Sequence, residues 1–149
     1  MRHADNAIHE AIAARKSGEL ICTLGPLIHN SLYVDSLSSE GVHIINSRDV
    51  ENLVKSRHPQ PTTLFIRTHG VESHILTYIK DLSDKYSSLT VRDLTCPFVK
   101  NIHKIAVKET GDTTIFLLFC NPSHAESIGI MSYAKGEKIA FSSLKEIEN

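Results

Sequence analysis

Short apolar runs alternate with amphipathic stretches along the whole chain, and this rhythm constrains the fold more than any other feature. Residues 20–24, 42–45, 63–67, 89–93, 114–119 and 138–141 are apolar runs of strand length. Between them, residues 5–16, 30–40, 47–56, 72–85, 97–110 and 123–133 carry helical spacing. Gly18 and Gly41 stand where helices stop, and Pro97 stands where one starts. Asn30 and Ser47 open helices, and Ser142 or Ser143 caps a last one that runs to Asn149. The spacing turns Leu32, Val34 and Leu37 inward in the second helix and Leu53 and Val54 in the third. It does the same for Ile75, Ile79 and Leu82 in the fourth and for Val99, Ile102, Ile105 and Ala106 in the fifth. Strand–helix alternation without a low-complexity linker means an α/β protein of parallel sheets with helical crossovers. A chemical boundary falls at Cys96-Pro97, which divides residues 1–95, a first α/β lobe, from residues 96–149, a second.

Composition removes several classes. The 149 residues are 41% hydrophobic, enough for a core of ordinary domain size. Lys plus Arg is 16 against 17 for Asp plus Glu, so no basic excess points to nucleic acid. No apolar run reaches membrane-spanning length and Met1-Arg2-His3-Ala4-Asp5 lacks a signal-peptide core, which predicts a cytoplasmic protein without a membrane partner. The three cysteines, Cys22, Cys96 and Cys120, form no C-x-x-C pair and are odd in number, so neither a zinc ribbon nor a disulfide framework is expected. Cys22 within the first strand and Cys120 at the end of the fifth are expected to be buried thiols.

Open parallel sheets bind ligands beyond the carboxyl ends of their strands. There this chain places Gly25-Pro26-Leu27-Ile28-His29-Asn30, Thr68-His69-Gly70-Val71, Thr95-Cys96-Pro97 and Asn121-Pro122-Ser123-His124-Ala125-Glu126. Any one polar residue in such a loop is commonly just a helix cap, but His29, His69, Cys96, His124 and Glu126 together are hard to explain that way. Cys96 precedes a helix that starts with proline, and the partial positive charge of that helix end favours a thiolate, as a nucleophile or as a metal or iron–sulfur ligand. His29 and His69, with Asn30 and backbone amides close by in sequence, suit a phosphate or diphosphate. Glu126 suits a general acid, with His124 orienting a substrate hydroxyl.

Four segments in order carry a resemblance: Gly25-Pro26-Leu27-Ile28-His29-Asn30, Arg67-Thr68-His69-Gly70-Val71, Asp93-Leu94-Thr95-Cys96-Pro97 and Ser123-His124-Ala125-Glu126-Ser127-Ile128-Gly129. The chain resembles the 4-hydroxy-3-methylbut-2-enyl diphosphate reductase family, also called LytB, over nearly its whole length. The resemblance implies a three-lobed α/β fold around a 4Fe–4S cluster, of which this chain supplies about two lobes, without the first strand and the third lobe. It implies reductive dehydroxylation of 4-hydroxy-3-methylbut-2-enyl diphosphate to isopentenyl and dimethylallyl diphosphate, the last step of the non-mevalonate isoprenoid pathway. Electrons would come from a donor such as ferredoxin or flavodoxin. On the same ground Cys96 is one of three cluster cysteines, His29 and His69 bind diphosphate together with Asn30, His124 contacts the substrate near its reacting end, and Glu126 is the proton donor.

The chain departs from the family pattern in three respects. Met1-Arg2-His3-Ala4 falls inside the first helix, after the family's Gly-Phe-Cys type loop, and Asn149 precedes the lobe with the third cysteine. Ala125 replaces the proline usual between the histidine and the glutamate. The expectation is therefore a partial reductase, inactive as this fragment, with two of three cluster cysteines absent. Two other classes stay open: a thiol enzyme pairing Cys96 with His69 or His124, and a non-catalytic diphosphate-binding module.

Overall fold

The structure, a computed structural model, describes residues 2–28, 30–56 and 59–146. Six helices and six strands alternate among the described residues: α1 (Arg2–Ala13), β1 (Leu20–Leu24), α2 (Ser31–Ser39), β2 (Val42–Ile45), α3 (Ser47–Lys55), β3 (Thr62–Ile66), α4 (Ser73–Lys85), β4 (Leu89–Asp93), α5 (Pro97–Glu109), β5 (Ile115–Phe119), α6 (Ala125–Tyr133) and β6 (Glu137–Phe141). In the described part of the expected last helix, Leu144–Glu146 form a short 3-10 turn; residues 147–149 lie outside the described residues. Every strand pairing is parallel, as the alternation requires. The chain divides into two compact units, Met1–Thr68 with Ile75–Thr95 and His69–His74 with Cys96–Asn149.

The first unit holds a four-stranded sheet in the order β2-β1-β3-β4. β1 and β3 each have a neighbour on both sides, and their apolar runs are correspondingly buried; all five residues of β3 are buried. Ala4, Ala7 and Ile8, one stripe of α1, pack with Ile21, Leu27, Leu37, Val42, Phe65 and Leu94. Phe65 and Ile8 are each 0% exposed, and burial of such a side chain stabilises the fold by roughly 1.5–3 kcal/mol. Register aligns the strand exits: Leu24 lies opposite Ile45 and Ile66, and Ile66 opposite Asp93. The loops after β1, β2, β3 and β4 thus leave from one edge.

Local signals set the helix starts. Asn46, not Ser47, caps α3: its side chain accepts from the Arg48 and Asp49 amides while Asp49 accepts from the Asn46 amide, a reciprocal capping box. The inner face of α3 is Val50 and Val54, with Leu53 only half-buried. In α2 Leu37 is buried but Leu32 is exposed, because only positions on the face toward the sheet gain by burial.

The second unit departs most from the apolar pattern. β5 pairs only with β6, and its residues alternate in exposure, with Ile115 58% and Phe119 68% accessible. A two-stranded sheet covers its faces poorly, so an apolar run here does not make a buried strand. Cys120, expected to be buried, is half-exposed for the same reason, and its thiol donates weakly to the Leu118 carbonyl at 3.6 Å. In α5 the buried residues are Val99, His103 and Ala106, whereas Ile105 is exposed. The helix faces inward along i, i+4 and i+7 from Val99, which brings His103 into the stripe and leaves Ile105 outside it.

Candidate functional site at the strand ends

In the first unit the exit of β1 is held by its neighbours. Gly25 has φ +74, which favours glycine, and an added Cβ would lie 2.9 Å from Arg67 Nη1, at the exit of β3. The Gly25 amide donates to the Ile45 carbonyl at 3.0 Å. Thr68 donates twice to the Leu27 carbonyl, from its amide at 3.2 Å and its hydroxyl at 2.9 Å. His29 lies outside the described residues. Asn30 is the N-cap of α2, extended at φ −141, and its side-chain oxygen accepts from the Tyr33 amide at 3.1 Å. The structure therefore uses the Asn30 oxygen for the helix. The Tyr33 hydroxyl is pushed well above the usual phenol range by burial, then by its hydrogen bond to Asp5.

The exit of β4 leads to Cys96. Asp93 accepts from both the amide and the hydroxyl of Thr95, closing a turn that ends the strand. Cys96 is the N-cap of α5, with Pro97 at the first helical position, and its side chain makes no capping bond. A half-exposed thiol thus sits at the amide end of a thirteen-residue helix, where partial positive charge collects. Cys22 differs: burial in β1 pushes its thiol up to about 11 and leaves it inert.

His69, Cys96, His124 and Glu126 all belong to the second unit. His124 is the N-cap of α6, and its Nδ1 accepts from the Glu126 amide at 3.3 Å. With Nδ1 accepting from this amide, Nε2 is the ring nitrogen left to act as a donor. Glu126 occupies the first turn of the same helix and is half-buried. The His69 and His124 rings meet edge to face with centroids 6.1 Å apart. The sheet and helix ends therefore bring two imidazoles together, one of them capping the helix that bears Glu126 in its first turn, while α5 presents a thiol.

Among the described residues no group of three or more His, Cys, Asp or Glu side chains could hold a metal ion. A 4Fe–4S cluster takes several thiolates, and with Cys22 sealed in the core these residues do not hold one unaided; Cys96 fits a single ligand position.

Residues 4–149 match the family described as LytB protein. The chain belongs to the LytB family. The 4-hydroxy-3-methylbut-2-enyl diphosphate reductase of Clostridium perfringens is 35% identical over 144 residues, which are 96% of this chain and 48% of the relative. The enzyme of the same name from Wolinella succinogenes is 33% identical over 141 residues, 94% of this chain and 47% of the relative. This LytB chain thus spans about half the length of the curated relatives it matches. A solved structure described as (E)-4-hydroxy-3-methyl-but-2-enyl diphosphate reductase, the terminal enzyme of the non-mevalonate pathway, superposes with TM-score 0.72 at 26% identity, covering 98% of this chain and 48% of that one. The Plasmodium falciparum E-1-hydroxy-2-methyl-but-2-enyl-4-diphosphate reductase shares the fold, with TM-score 0.74 at 21% identity over 97% of this chain and 41% of that one.

Sequence reasoning missed the residues behind the site. His103 and Tyr133 stack with ring centroids 3.9 Å apart and planes 13° from parallel. Ser73 and Ser132 exchange two hydrogen bonds of 2.8 Å. The one available signal was His103 at the i+4 position from Val99, on the inner face of its helix.

Proposed function

We propose that this LytB chain supplies the substrate-binding and proton-donating part of a reductase acting on 4-hydroxy-3-methylbut-2-enyl diphosphate. The observation that carries the reading is the His69–His124 pair, with Glu126 two residues beyond His124 at the start of α6. His69 binds the diphosphate, a task suited to an imidazole near a helix N-terminus. His124 donates from Nε2 to the substrate hydroxyl. Glu126 gives that oxygen a proton, so the C–O bond breaks with water as the leaving group and not hydroxide. The balance requires two electrons and two protons, yielding isopentenyl or dimethylallyl diphosphate and water. The electrons come from a protein donor such as ferredoxin or flavodoxin, in the cytoplasm. Cys96 contributes one thiolate to a 4Fe–4S cluster whose other ligands lie outside these residues. No helix among the described residues is long and apolar enough to cross a membrane.

Calorimetry with the hydroxylated diphosphate tests the binding half. The parent chain is expected to bind it more tightly than isopentenyl diphosphate, which lacks the hydroxyl, and His124→Ala, which removes the Nε2 donor, is expected to abolish the difference. No binding of either compound, or equal affinities in the parent, would contradict the reading.

A further inference from the structure

One aromatic side chain behind the site touches every element that carries a site residue of the second unit. Tyr133 lies on α6, the helix capped by His124 and begun by Glu126. Its ring stacks at 3.9 Å on His103, which is 7% exposed and lies seven residues, two turns, after Cys96 in α5. Its hydroxyl donates to the Val71 carbonyl at 3.3 Å, two residues after His69.

The adjacent Ser132 reinforces the last of these ties. The Ser73 amide donates to Ser132 Oγ and the Ser73 hydroxyl donates to the Ser132 carbonyl, both at 2.8 Å. Ser132 Oγ donates in turn to the Gly129 carbonyl at 2.5 Å. An added Cβ on Gly129 would stand 3.8 Å from the Val71 carbonyl oxygen, so α6 runs close against the segment that bears His69. Residues 69–72 lie outside regular structure and Ser73 opens α4, so these bonds tie the approach to α4 onto α6.

We propose that Tyr133 is a positioning residue that fixes the His69–His124 spacing by locking α5, α6 and the 69–74 segment together. The stack sets α6 against α5, and the hydroxyl sets the His69 segment against α6. The catalytic value of the strut rests on the proposed roles of His69 and His124, since small displacements of binding groups cost affinity and rate.

Aromatic proton–carbon NMR of the parent chain, with ring signals assigned through His69→Gln and His124→Gln, provides a test that needs no substrate. The parent is expected to show cross-relaxation between the two rings. Tyr133→Leu, which removes both the stack and the hydroxyl, is expected to abolish that cross-peak and move both rings' signals. Tyr133→Phe keeps the stack and loses the hydroxyl, so its shifts are expected to concentrate on His69. In a pyrophosphate titration of these chains, Tyr133→Phe is expected to weaken binding about threefold to tenfold while its thermal melt stays near that of the parent.

If both variants keep the parent's ring signals and cross-peak, the strut is refuted. If Tyr133→Leu does not fold, unchanged His69 signals in Tyr133→Phe suffice to refute it. If the ring signals move as expected but the parent itself does not bind pyrophosphate, the strut stands and the diphosphate reading falls.

Discussion

β3 and β5 are both five-residue apolar strands, Thr-Thr-Leu-Phe-Ile and Ile-Phe-Leu-Leu-Phe, yet they differ completely in burial. β3 is buried throughout, whereas β5 is exposed at alternate positions, although β5 is the more apolar. The difference is the number of neighbours: β3 sits between β1 and β4, while β5 has β6 alone. Apolar content says that a strand gains by burial; the sheet around it decides whether that gain is realised. The comparison also divides labour. Buried apolar side chains concentrate in the four-stranded unit, while four of the proposed site residues lie in the unit with the smaller sheet.

Paired substitutions test this contrast most severely. Phe65→Ala removes a fully buried ring and is expected to cost about 3–5 kcal/mol, measured by urea unfolding. Phe119→Ala, on the exposed edge, is the other arm; a loss comparable to that of Phe65→Ala would break the contrast.

The pH dependence of stability is expected to give the next largest effect. Burial raises Cys22 from 9.0 to about 11, so the folded chain keeps a proton that the unfolded chain loses. The associated stability is complete below pH 9 and falls away as pH rises through 11, by roughly 2–3 kcal/mol in all. Urea midpoints across that range should fall in the parent and fall less in Cys22→Ala. Iodoacetamide should spare Cys22 in the folded chain while labelling Cys96, which is half-exposed.

The smallest effect is the Phe119→Ala loss itself, expected within about 0.5 kcal/mol because little area is recovered from water on folding.

The α/β class and the strand positions were legible because each strand run is short, apolar and bounded by glycine, proline or a cap. Burial was less legible. Ile105, Leu32 and the residues of β5 carry the right hydrophobicity, but their side of the element is set by tertiary neighbours that no local window contains. The loops bearing His69, Cys96 and His124 could be placed at strand ends from the parallel pattern alone. The His103–Tyr133 stack could not, because it joins residues thirty apart on different helices, and neither belongs to a strand-end motif. Asn30 shows the opposite difficulty: a residue type equally suited to a ligand and to a cap, found with its oxygen on the Tyr33 amide.

A pyrophosphate titration followed by amide and histidine-ring NMR tests the central claim most directly, that the strand-end groups of the second unit form an anion site. The account predicts saturable shifts centred on the His69 ring and the Gly70 and Val71 amides, with β5 and β6 unaffected. Absence of saturation, or shifts confined to residues away from His69, would contradict it.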